Sequence, residues 1–68
     1  MKYSIYNSIL NLSSNSKLLY NSFSDKYLVF KQDLEDLIKN DIEELNKEYS
    51  NIYDLLIKGG FYIEDDVN

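Results

Sequence analysis

The apolar residues of this chain change period near residue 31, and that switch constrains the fold more than any other feature. Up to Phe30 they mix with Ser and Asn at near-alternating positions, the two-residue period of half-buried strands. From Leu34 onward they recur at i, i+3 and i+4, the spacing of amphipathic helices. A chain that is strand first and helix second builds an α+β domain, with a small sheet and its helices segregated. At 68 residues it makes one domain at most, and a chain of this size buries only about 60% of the surface its unfolded form exposes.

Three strands are expected, over residues 3–12, 17–22 and 26–30. Ser13-Ser14-Asn15-Ser16 separates the first two, because short polar side chains bond their own backbone in turns. Ser22-Phe23-Ser24-Asp25 separates the next two, and Asp is one of the few non-glycine residues that tolerates a left-handed conformation. In the third strand Leu28 and Phe30 face one side, and Tyr27 and Val29 the other. Strands joined by such short turns form an antiparallel meander.

Helix signals begin at Asp33, read as an N-cap, with Leu34, Leu37 and Ile38 on one face. Asp41-Ile42-Glu43-Glu44 has the form of a capping box with Asp in the first position. Ser50 or Asn51 caps a third helix bearing Ile52, Leu55 and Leu56, unless residues 41–58 form one continuous helix. Gly59-Gly60 ends the run, since glycine turns left-handed at no steric cost. Phe61-Tyr62-Ile63 reads as a short terminal strand and residues 64–68 as a solvated acidic end. The expected architecture is therefore winged-helix-like: a three-stranded antiparallel meander, three helices and a short terminal β element.

Composition narrows the chemistry. There is no Cys and no His, so no disulfide and no zinc or iron–sulfur site is expected, and no cofactor is called for. Twelve acids against seven bases give a net charge of −5, and every base is Lys, scattered singly among acids. A phosphate-binding surface needs clustered Lys and Arg, so nucleic acid is not an expected partner. With no His, Cys, Arg or Thr and little room for a closed pocket, a non-catalytic binding domain is expected rather than an enzyme. No apolar run approaches the roughly 18 residues of a membrane helix, and the first residues lack the form of a signal peptide. A cytoplasmic protein with no membrane partner is the expectation. The acids at 33–36 and 41–44 read as first-turn residues that complement helix dipoles rather than as a cation site.

A meander leaves two sheet edges, each a row of unpaired N–H and C=O groups. The third strand carries no Pro and no charge inside Tyr27, Leu28, Val29 and Phe30, with Lys26 and Lys31 at its ends. Either it is an edge to which an extended peptide adds as a further strand, or it is central and Tyr27 and Val29 are core. Tyr6, Tyr20 and Tyr49 are assigned to the core, and Tyr27 and Tyr53 to the neighbourhood of a groove.

Three segments carry a resemblance: Lys2-Tyr3-Ser4-Ile5-Tyr6-Asn7, Leu18-Leu19-Tyr20-Asn21-Ser22-Phe23-Ser24-Asp25, and Leu55-Leu56-Ile57-Lys58-Gly59-Gly60-Phe61-Tyr62-Ile63-Glu64-Asp65-Asp66-Val67. They resemble the N-terminal region of radical SAM/SPASM peptide maturases, the PqqD-like RiPP recognition element that binds the leader of a ribosomally made precursor peptide. Asp25 stands where the family has Gly, and the maturase cysteine cluster is absent from these residues. The chain is then either a free-standing recognition protein or part of a larger maturase. The resemblance implies a leader docked as an added strand beside the third strand and against the third helix. It implicates Lys26, Tyr27, Leu28, Val29 and Phe30 with Tyr53 and Ile57, and names a precursor leader peptide and a peptide-modifying enzyme, a radical SAM maturase, as partners. The net charge of −5 adds an expected preference for leaders bearing Lys or Arg. The alternative is a small oligomerising or regulatory interaction module without a leader ligand; a DNA-binding winged helix ranks below both because of the charge.

Overall fold

A computed structural model describes residues 1–64. The expected acidic end from Asp65 to Asn68 lies outside the described residues. Strands β2 (Asn7–Asn11), β3 (Ser16–Asn21) and β4 (Lys26–Lys31) form an antiparallel sheet in the order β2-β3-β4. Helices α1 (Glu35–Asn40), α2 (Ile42–Glu48) and α3 (Ser50–Lys58) follow a 3₁₀ turn at Gln32–Leu34. Strand β1 (Lys2–Tyr3) pairs antiparallel with β5 (Tyr62–Ile63), Tyr3 opposite Tyr62. The protein is α+β, with its helices after its sheet.

The run expected as one strand over 3–12 is thus two. The Ser4 hydroxyl accepts from the Tyr6 N–H at 3.1 Å and the Ser4 carbonyl from the Asn7 N–H at 3.3 Å, closing a turn. A short hydroxyl side chain competes locally with ladder bonds, and the freed β1 closes on β5. At the β3–β4 turn Asp25 sits at φ 58, as its tolerance of the left-handed region suggests.

Two helix boundaries differ from expectation. Asp33 lies within the 3₁₀ turn and caps nothing, because α1 starts two residues later. Residues 41–58 are two helices, broken at Tyr49 (φ −139, ψ 61), with Ser50 the first residue of α3 rather than its cap. The Asp41 cap is as expected: its Oδ1 accepts from the Glu44 N–H at 3.3 Å. Lys17, on the inner face of β3, bonds Glu35 and ties the sheet to α1, holding that carboxyl below the usual carboxylate range.

The core joins Leu19 and Phe30 of the sheet to Leu34, Ile38, Leu45 and Leu56 of the helices and to Phe61 and Tyr62. The tyrosines expected there are elsewhere. Tyr6 is 40% and Tyr49 41% exposed, and Tyr20 points to the outer sheet face, its hydroxyl bonded to Asp25 at 2.6 Å. Strand parity decides Tyr20: Leu19 takes the inner position, so its neighbour faces out.

The buried tyrosine is Tyr62. Its ring meets Tyr3 edge-on at 5.6 Å, and its hydroxyl donates to the Ile38 carbonyl in the last turn of α1, where helices leave carbonyls without partners. Burial, and then the neighbouring Tyr3, push the phenol up to about 12. An unfolded tyrosine ionises near pH 10, so between about pH 10 and 12 the folded state holds the proton more tightly. Stability from this group is present below about pH 10 and is lost as pH rises through 12. Tyr62→Phe is expected to cost about 1–2 kcal/mol at pH 7, for the orphaned carbonyl, and to flatten the alkaline fall in melting temperature. Thermal melts of both proteins from pH 7 to high pH check this; an unchanged alkaline slope counts against it.

Candidate functional site

The sheet order places β4 at an edge. Its inward residues alternate between partly buried Leu28 and buried Phe30, while Tyr27 is 69% and Val29 54% exposed. The strand is therefore not the centre of the sheet, and Tyr27 and Val29 are not core.

Two hollows trace the length of β4 against α3. One, of about 230 Å³, is lined by Lys26, Tyr27, Leu28, Leu55, Lys58, Gly59 and Phe61. The other, of about 290 Å³, meets Val29, Phe30, Lys31, Asp33, Leu34, Tyr49 and Ile52. Together they make a groove floored by β4 and walled by Tyr49, at the start of α3, and by Ile52, Leu55 and Lys58 along it. Leu55 is 49% exposed within it.

The groove brings together Lys26, Tyr27, Leu28, Val29 and Phe30 from the expected set. It does not include Tyr53 and Ile57. At about 100° per residue these fall on the other flank of α3, and Ile57 packs against the core. Tyr49, assigned to the core from sequence, is instead a groove residue. Its signal was the spacing Tyr49-Ile52-Leu55-Lys58, visible in the chain once α3 starts at Ser50 rather than continuing α2.

A polar cluster holds the two groove walls at the Lys26–Lys58 end. Asn21, 1% exposed, receives the N–H groups of Phe23 and Ser24 at 3.0 and 2.8 Å, shaping the turn into β4. Its amide donates to Asn7 Oδ1 at 2.8 Å and to the Gly60 carbonyl at 3.3 Å. Asn7 donates in turn to the Phe61 carbonyl at 2.9 Å, and the Ser24 hydroxyl to the Gly59 carbonyl at 2.7 Å. The segment around Asn21 and the Gly59-Gly60-Phe61 segment, far apart in sequence, are one structural unit.

The opposite face of the sheet is also apolar. Leu10, Leu18 and Val29 lie in cross-strand register, with Tyr20 beside Tyr27. A third hollow of about 350 Å³ opens past Lys58 between Tyr6, Phe23 and Ile63; Phe23 is 81% exposed and stacks on Tyr6 at 5.3 Å. Among the described residues no His, Cys, Asp or Glu cluster could hold a metal ion, and no helix is long and apolar enough to cross a membrane. Compared with family models, curated proteins and solved structures, the chain matches none.

Proposed function

We propose that this chain is a peptide-binding module of winged-helix-like, RiPP recognition element type. It takes the leader segment of a ribosomally made precursor as a fourth strand on β4 and presents it to a modifying enzyme of the radical SAM class. The observation that carries the peptide-binding part is the open β4 edge beside an apolar groove. Main-chain bonds to the edge supply affinity, and the groove supplies selectivity among alternate side chains. The resemblance of the Asn21 and Gly59-Gly60 segments to the maturase N-terminal region supports the leader as the ligand.

The test is a backbone-amide NMR titration with the precursor peptide encoded nearest this gene. Shifts are expected in β4 and along Tyr49, Ile52, Leu55 and Lys58. Leu55→Asp is expected to weaken binding at least about tenfold, by placing a carboxylate against desolvated apolar surface. Its melting temperature should barely change, since Leu55 is half exposed. A folded protein whose β4 and α3 amides do not move sinks the proposal.

The Leu10–Leu18–Val29 face, with Leu10 and Val29 exposed and Leu18 half-buried between them, favours a second reading, a self-associating or regulatory interaction module. Mass in solution separates the two, since a stable dimer disrupted by Leu10→Lys supports the second.

A further inference from the structure

The groove has a sign that the chain as a whole does not. The protein carries a net charge of −5, yet the lining at the start of β4 holds Lys26 and Lys58 and no acid. At the other end Lys31 is accompanied by Asp33. The ion pairs among the described residues belong to Lys17 and Lys39, both with Glu35, so the three groove lysines are exposed and uncommitted. Asp54, the acid of α3, stands one turn before Lys58, about 40° from it around the helix, but it lines neither hollow and makes no ion pair with Lys58. Asp25, next to Lys26, takes the Tyr20 hydroxyl on the outer face.

We infer that the segment this groove accepts carries an acidic residue, Asp or Glu, at the end that passes Lys26 and Lys58. The inference rests on the peptide-binding reading and names its chemistry. Net charge acts over distances that salt screens at about 8 Å, whereas a docked side chain meets the charges lining its own groove. The lining therefore outweighs the chain's acidity, and an acidic segment replaces the Lys- or Arg-bearing one that net charge suggests. The same lysines disfavour a second copy as the occupant. Antiparallel pairing of two β4 strands about Leu28 and Val29 sets Lys26 against Lys31 at both ends of the ladder, and like charges directly opposite destabilise a strand pair. The charge is concentrated at one end, so it also fixes polarity: the carboxylate lies at the α3 C-terminal end of the added strand, beside a helix end whose carbonyls the lysine offsets.

The experiment selects displayed random decapeptides on the folded protein, on K26E/K58E and on the milder K26Q/K58Q, with NMR mapping of the binders. Binders that shift β4 and α3 amides are expected to share Asp or Glu at one terminal position. K26Q/K58Q should abolish that enrichment and K26E/K58E should replace it with Lys or Arg. Affinity of an acidic binder should fall roughly threefold to tenfold on losing the two lysines, and fall with added salt. Groove binders with no charge preference, or the same preference in K26E/K58E, overturn the acidic-segment inference and leave peptide binding standing. Binders that shift only other amides, or no binders at all, overturn the peptide-binding reading itself.

Discussion

Gly59→Ala is expected to cost about 3 kcal/mol, against about 1–2 kcal/mol for Gly60→Ala, although the two glycines are neighbours. A Cβ at Gly59 would stand 2.4 Å from Phe61 Cε2 and 2.8 Å from Cδ2, with the Leu55 carbonyl at 3.1 Å. The Phe61 ring is 2% exposed and belongs to the core, so moving it off a new Cβ disrupts its packing there. Overpacking a filled core costs about 1–3 kcal/mol, and expelling a phenyl ring about 3–5. Gly60 differs because its restriction is conformational. It sits at φ 78, but a Cβ there meets nothing closer than Ser24 Cβ at 3.5 Å. The cost is then the left-handed penalty of about 1–2 kcal/mol. A domain of this size has roughly 3–10 kcal/mol in total, and each kcal/mol moves its midpoint by about 4–8 °C. Gly59→Ala should melt more than 10 °C lower, by the same scaling, and circular dichroism melts of the two variants decide the order. A larger loss at Gly60 would mean that backbone handedness, not Phe61, dictates this turn.

Those glycines also mark the boundary of what was legible in the chain. The Asp25 turn and the Asp41–Glu44 cap could be read directly, because each is a local contest between a short side chain and its own backbone. The antiparallel meander was legible for the same reason: alternation and two turn clusters determine it between them. The pairing of β1 with β5 was not, since Lys2 and Ile63 are brought together by the whole intervening fold. Period identified α3 and its Ile52–Leu55–Leu56 face, but not which flank of that face meets β4. Tyr53 and Ile57 as a docking pair came from the resemblance, whereas the hollows are lined by Tyr49, Ile52, Leu55 and Lys58, a placement set by the docking of α3. The glycine pair read as a helix stop, which Gly60 is. That Gly59 is a packing residue depends on Phe61 folding back against it, a tertiary fact. The local sign of the groove was hidden for a like reason: lysines scattered in sequence gather only when β4 and α3 lie side by side.

Asn21→Asp is expected to destabilise the protein by about 2–4 kcal/mol at pH 7, and to do so in a pH-dependent way that Asn21→Ala does not share. Asn21 uses both ends of its amide. The oxygen accepts the Phe23 and Ser24 N–H groups, and the nitrogen donates to Asn7 Oδ1 and the Gly60 carbonyl. Alanine deletes all four contacts and leaves buried donors and acceptors without partners, at about 1–3 kcal/mol for the group most strictly buried. Aspartate keeps the turn-forming acceptor but presents a second, charged oxygen to two acceptors. That oxygen is shut away from water, Asn21 being 1% exposed. Both effects disfavour the carboxylate, so its folded pKa lies above the unfolded value near 3.9. The destabilisation is then full above the folded pKa and is relieved as pH falls through it, because the protonated acid regains a hydroxyl donor for the Gly60 carbonyl. Wild type and Asn21→Ala have no such group here, so only the aspartate variant should recover relative to wild type between about pH 7 and 4. Urea titrations across that range measure it. Because this one amide joins the turn before Lys26 to the carbonyl two residues after Lys58, it also sets the spacing of the groove's basic end. Proteolytic nicking between residues 21 and 26 should rise in both variants; if it stays at the wild-type rate, the cluster does not hold the two walls together.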